Sequence, residues 1–139
     1  MPARKKQSVG VIGLGSMGMG VARTLLKKRF DTHACDVRPE ARKAFARAGG
    51  TAHDTPAQLA RSVSIVIILV VNADQTSAVL FGKDGALSTL AKGSVVVSSA
   101  TVAPDFAIDL GRQLAARGIF MIDAPVSGGA ARAAKGELS

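Results

Sequence analysis

Three glycines near the amino terminus have the spacing of a phosphate-binding loop. Gly13, Gly15 and Gly18 form a G-x-G-x-x-G pattern between a short strand-like run and a helical pattern. In that setting the first glycine permits a tight turn, the second lets the backbone approach a pyrophosphate, and the third lets the helix pack closely. The helix amino terminus offers free N–H groups to the phosphates. We therefore expect a dinucleotide site here; the alternative is a glycine-rich turn with no ligand.

A carboxylate, Asp36, lies at the end of the next predicted strand, 18 residues after Gly18. A carboxylate there accepts hydrogen bonds from the adenosine ribose and repels the 2′-phosphate of NADP, so we expect NAD to be preferred. The alternative is a helix-start Asp in a solvated loop. Arg38, two residues further on, could stack on the adenine or neutralise a 2′-phosphate, which leaves NADP as the less favoured cofactor.

A second loop near the carboxyl end has residues that suit a carboxylate ligand. Gly128 and Gly129 precede an alanine-rich stretch and leave backbone N–H groups free at a predicted helix start. Ser127 adds a hydroxyl that can donate or accept a hydrogen bond. The alternative is a Pro/Gly turn that binds nothing.

Alternating strand and helix patterns must position these loops. The run 64–71 is apolar on both faces, which is typical of a central parallel strand covered by helices on each side. The alternation predicts an α/β fold with a doubly wound, mainly parallel sheet and helices on both faces. The predicted strands are 8–12, 32–37, 51–53, 64–71, 94–98 and 119–122. The predicted helices are 17–29, 39–48, 55–61, 72–80, 86–90 and 104–117.

The composition narrows the class of protein. The 139 residues suit one domain, 1–139, and 47% hydrophobic residues exclude a disordered chain. Aromatics are only 4%, so the net charge of +8 does not predict a nucleic-acid platform. No apolar run could span a bilayer, and the single cysteine, Cys35, fits a reducing compartment. We expect a cytoplasmic protein with no metal, no nucleic-acid partner and no membrane association.

The two loops together resemble those of the β-hydroxyacid dehydrogenase family. Gly-Leu-Gly-Ser-Met-Gly at 13–18 and Asp-Ala-Pro-Val-Ser-Gly-Gly at 123–129 carry the resemblance, which extends over 9–138. The stretches 36–39 and 72–75 are most similar to the L-threonate dehydrogenase branch. The resemblance implies a Rossmann-type NAD-binding domain of an enzyme that transfers a hydride between NAD and a small β-hydroxy acid.

The resemblance also implies roles for individual residues. The substrate's hydroxyl and carboxylate would be bound by Ser127, Gly128 and Gly129. A serine that usually precedes Thr101 in the family is replaced here by Ala100. The implied cofactor-binding residues are Gly13, Leu14, Gly15, Ser16, Met17, Gly18, Asp36, Val37, Arg38, Val71, Asn72 and Thr101.

The family's catalytic base is a lysine in a helical domain that follows the second loop, so the resemblance implies no catalytic residue before Ser139. His33 and His53 look isolated, and Lys135 falls at a variable position of the motif. We therefore interpret the chain as a cofactor domain without its catalytic half, inactive alone and prone to homo-oligomer formation through the exposed domain face. Two alternatives remain, an NADP(H)-dependent aldehyde-acid or imine reductase and a non-enzymatic dinucleotide-binding module.

Overall fold

The computed structural model describes residues 7–126 and residue 136, and its centre is one six-stranded sheet. The strands are β1 (Ser8–Ile12), β2 (Asp31–Cys35), β3 (Thr51–His53), β4 (Ile65–Ile68), β5 (Val95–Ser98) and β6 (Phe120–Asp123). The α-helices are α1 (Ser16–Lys27), α2 (Pro39–Arg47), α3 (Pro56–Ala60), α4 (Ala73–Phe81) and α5 (Pro104–Ala116), with a 3₁₀ turn at Ala86–Ser88.

The sheet has the strand order β3-β2-β1-β4-β5-β6, and all five pairings are parallel. The chain therefore winds outward from β1 in one direction and outward from β4 in the other. This order creates a crevice at the carboxyl ends of β1 and β4, where doubly wound folds bind their ligands. The predicted Rossmann-type fold is confirmed.

The predicted element ends differ from the observed ones by a few residues, and β4 differs most. It ends at Ile68, whereas the apolar run predicted a strand through residue 71. The reason is that the backbone N–H of Val71 donates to the side-chain Oε1 of Gln75 at 2.8 Å, so the chain has turned toward α4. The helix predicted to reach residue 29 ends at Lys27, and Arg29 has a left-handed φ of 67°.

One face of the sheet is covered along its central strands. Helices α3, α4 and α5 pack there on alternate residues of the central strands, including Val66, Ile68 and Val96, which are completely buried. On the other face α1 and α2 cover β1 and β2, with Phe45 of α2 completely buried. Both faces of the sheet thus carry helices, as predicted.

The second face is left uncovered beyond β1 by the described residues. The strand register sets six apolar side chains side by side in two rows, which we call the open apolar face: Ile65, Val95 and Phe120, then Ile67, Val97 and Ile122. Exposure rises toward the sheet edge, where Phe120 is 66% and Ile122 53% exposed. The apolar run 64–71 predicted a strand with helices over both of its faces. The described helices cover one of these faces and leave the other partly exposed.

The two histidines are not isolated, which corrects the sequence interpretation. Nδ1 of His33 lies 2.8 Å from Nε2 of His53, and the rings stack with centroids 5.1 Å apart. Burial, followed by the charge of His33, lowers the pKa of His53. The pairing of β2 with β3 makes this contact, because it sets Cys35 beside His53 and brings His33 diagonally within reach.

Along the described part of the chain, no helix combines the length and apolar character that crossing a bilayer requires.

Candidate dinucleotide-binding site

The loop between β1 and α1 makes a tight turn at Gly13. Its φ is 102°, and a Cβ at this position would lie 2.7 Å from the carbonyl oxygen of Leu69. The N–H of Gly13 donates to the carbonyl of Cys35 at 3.0 Å, which ties the turn to the end of β2. Only glycine is compatible with this conformation at this distance from the neighbouring backbone.

The other two loop glycines have opposite surroundings. A Cβ on Gly18 would collide with the carbonyl oxygen of Gly13, so α1 can approach the loop only because that side chain is absent. A Cβ on Gly15 would meet nothing within 4 Å. The space beside Gly15 is therefore open, as a site for backbone contact with a pyrophosphate requires.

The amino terminus of α1 is available to an anion. Gly15 is its N-cap, no side chain caps the helix, and its first turn contains no acidic residue. Unpaired N–H groups at a helix start are satisfied by caps, water or ligands, and together with the helix dipole they favour phosphate. Helix α4 differs, because Oδ1 of Asn72 accepts from the N–H of Gln75 at 2.9 Å and so caps it.

Asp36 lies directly after β2 and faces this loop. Its Oδ2 accepts from the N–H of Leu14 at 2.7 Å, and its Oδ1 accepts from the N–H of Arg38 at 2.8 Å. Burial alone raises the pKa of this carboxyl, but the two backbone N–H groups and the Arg38 guanidinium outweigh it and hold the pKa below its usual value. The group at the predicted ribose position is therefore an ionised carboxylate.

Arg38 donates hydrogen bonds to both Asp36 and Leu14. Its Nε donates to Oδ1 of Asp36 at 3.1 Å, and its Nη2 donates to the carbonyl of Leu14 at 2.9 Å. The side chain of Leu14 is buried in the core, so this residue meets the site only through its backbone. This arrangement differs from the partners predicted for Arg38, which were the adenine and a 2′-phosphate.

Three further predicted cofactor residues lie at the same edge of the sheet. Val37 follows β2 and is 91% exposed, Val71 follows β4 and is 78% exposed, and Thr101 is exposed between β5 and α5. The carboxyl ends of parallel strands share one edge, so these residues border the crevice beside the glycine loop. The predicted substrate residues Ser127, Gly128 and Gly129 lie outside the described residues.

Cys35 does not contribute a reactive thiol. It is buried in the core, and burial, followed by the nearby Asp36 charge, raises its pKa to about 11. A thiol with so high a pKa remains protonated at neutral pH.

Comparison with known proteins agrees with this geometry. The NAD-binding domain of 6-phosphogluconate dehydrogenase matches residues 8–139. L-threonate dehydrogenase from Cupriavidus necator is 56% identical over 133 residues, which cover 96% of this chain and 45% of that protein. The crystal structure of a 3-hydroxyisobutyrate dehydrogenase (ygbJ) from Salmonella typhimurium has a TM-score of 0.92 and 40% identity, and covers 96% of this chain and 47% of its own.

A further solved structure, Psf3 in complex with NADP⁺ and 2-OPP, has a TM-score of 0.87 and 30% identity, over 94% of this chain and 46% of its own. This chain thus spans about half the length of the relatives it matches. The family match covers nearly all of the residues, and the fold agrees closely with that of a solved relative. The chain belongs to the β-hydroxyacid dehydrogenase family and corresponds to its N-terminal NAD(P)-binding domain.

Proposed function

We propose that this chain binds NAD for an enzyme that transfers a hydride between NAD and a small β-hydroxy acid of the L-threonate or 3-hydroxyisobutyrate kind. The observation that carries the proposal is the ionised Asp36 carboxylate, held 2.7 Å from the N–H of Leu14 in the glycine loop. The dehydrogenase relatives support the reaction class. NAD, when bound, accepts the hydride; the protein supplies binding and orientation.

Different residues of the chain bind different parts of the cofactor. The open backbone at Gly15 and the uncapped start of α1 bind the pyrophosphate. Asp36 accepts from the adenosine ribose, and the exposed Val37 gives an apolar contact beside it. We assign the base that removes the hydroxyl proton to the part of the whole protein that this chain does not span, since the described loops at the carboxyl ends of the strands contain no histidine and no lysine.

The cofactor preference gives the direct test of this proposal. We expect the chain to bind NAD more tightly than NADP, because the Asp36 carboxylate accepts from a 2′-hydroxyl and repels a 2′-phosphate. In Asp36→Ala we expect NAD affinity to fall by about ten- to a hundred-fold, because a charged hydrogen bond is lost. We also expect the preference for NAD over NADP to become smaller. Isothermal titration calorimetry with both cofactors measures both quantities.

Asp109→Ala is the matched control, since it removes an exposed carboxylate that accepts from the Nε2 of Gln113 on α5 and is not in the predicted site. It should leave both affinities unchanged. Equal affinity of the unaltered chain for NAD and NADP would contradict the role of Asp36.

The second candidate function is an NADP(H)-dependent reductase of an aldehyde acid or imine. It is favoured by the Arg38 guanidinium, which is half-exposed beside Asp36 and could attract a 2′-phosphate. The Psf3 relative, solved with NADP⁺, is consistent with it. The same titration separates the two functions, because the second requires tighter binding of NADP than of NAD.

We further propose that the chain self-associates through the open apolar face, since contiguous exposed apolar surface at a sheet edge favours association. Phe120→Asp at the centre of that edge should shift the sedimentation profile to monomer. Ile108→Asp, which alters a 55% exposed residue on α5, should leave the profile unchanged. A monomeric unaltered chain at all concentrations would contradict this proposal.

A further inference from the structure

We propose that Arg38 is a positioning residue that fixes the Asp36 carboxylate for the ribose, and that its charge limits how strongly the site rejects a 2′-phosphate. This inference rests on the proposed function and extends it to a second determinant of cofactor choice. It predicts an unusual result: loss of Arg38 weakens NAD binding yet increases the preference for NAD over NADP.

The positioning role follows from a closed ring of hydrogen bonds. Leu14 N–H donates to Oδ2 of Asp36 at 2.7 Å, Nε of Arg38 donates to Oδ1 at 3.1 Å, and Nη2 of Arg38 donates to the Leu14 carbonyl at 2.9 Å. The ring joins the loop after β1 to the loop after β2. Because the guanidinium is planar and its donors are fixed in a fork, it holds the carboxylate and the loop in one relative orientation.

The ring also determines which carboxylate oxygen remains for the ribose. An ionised carboxylate offers about four lone-pair positions, two on each oxygen. Oδ1 accepts from both the N–H and the Nε of Arg38, whereas among residues 7–126 the hydrogen bond to Oδ2 comes from the N–H of Leu14 alone. A hydroxyl of the adenosine ribose is therefore directed to Oδ2, beside the phosphate loop.

The charge effect follows from the exposure of the two partners. The Asp36 side chain is 9% exposed, whereas that of Arg38 is 50% exposed. A 2′-phosphate arriving from solvent is thus attracted by the more exposed guanidinium, whose charge is opposite to its own, while the neighbouring carboxylate repels it. Removing Arg38 leaves the carboxylate uncompensated, which penalises NADP more than NAD.

The test compares Arg38→Ala and Arg38→Lys in the full chain by calorimetry with NAD and NADP. Arg38→Ala should lower NAD affinity about 3- to 10-fold, which is the effect of losing one hydrogen bond between neutral groups. It should lower NADP affinity about 10- to 100-fold, because the attraction between the guanidinium and the 2′-phosphate is also lost. Arg38→Lys keeps the charge without the fork, so it should restore the NADP-to-NAD ratio while NAD affinity remains reduced. Arg47→Ala, at the exposed end of α2, controls for net charge.

A merely structural role for Arg38 would weaken both cofactors equally and leave their ratio unchanged, which would overturn this assignment. So would an Arg38→Lys variant that fails to restore the ratio. Failure of the unaltered chain to bind either dinucleotide would instead overturn the proposed function, and this inference with it. A carboxyl ¹³C pH titration adds a readout without cofactor: Arg38→Ala should raise the pKa of Asp36, and an unchanged pKa would also contradict the ring.

Discussion

Gly15→Val should leave the domain folded and abolish measurable dinucleotide binding, with an affinity loss of at least about 100-fold. The fold should survive because a Cβ at position 15 meets nothing within 4 Å, and the backbone φ of −65° suits valine. Binding should fail because the isopropyl group fills the open space where the pyrophosphate must contact the backbone.

Calorimetry with NAD measures the affinity, and circular dichroism with thermal unfolding measures the fold. Gly111→Ala is the matched control, because the added methyl group on α5 would meet the Met121 sulfur at an ordinary 3.7 Å, away from the site. It should bind NAD normally. Retained NAD affinity in a folded Gly15→Val chain would show that the pyrophosphate does not lie over this loop.

Gly18→Val should have the opposite effect and unfold the domain. The new Cβ would collide with the carbonyl oxygen of Gly13 and lie 2.8 Å from its carbonyl carbon. Both atoms belong to the backbone of a turn that is itself bonded to Cys35, so neither can move without opening the junction of β1 and β2. We expect a loss of about 4 kcal/mol or more, a large part of the stability of a typical domain.

Denaturant unfolding monitored by circular dichroism measures this loss. Gly15→Val, only three residues away, provides the comparison, because it adds the same side chain to open space. A Gly18→Val variant as stable as the unaltered chain would contradict the close contact between α1 and the backbone of Gly13.

Local patterns in the sequence were sufficient to predict the order of strands and helices. β1 and β3 have the predicted ends, and α5 begins at the predicted Pro104. These features depend on short-range causes: alternation of apolar residues, proline at a helix start and glycine in a turn. The glycine loop and Asp36 were predicted to bind the cofactor for the same reason, since that prediction depends on residue type and position relative to a strand.

Contacts between distant residues were decided only by the tertiary structure. The Arg38–Leu14 bond joins residues 24 apart, and the His33–His53 contact joins residues 20 apart across a strand pair. The open apolar face arises because the described helices of the second face lie over β1 and β2, while the strand register aligns Phe120 and Ile122 at the edge. Such contacts depend on strand order, register and helix placement. Local periodicity does not determine these, because it specifies which face of an element a residue occupies but not which residue lies next to it on the neighbouring element.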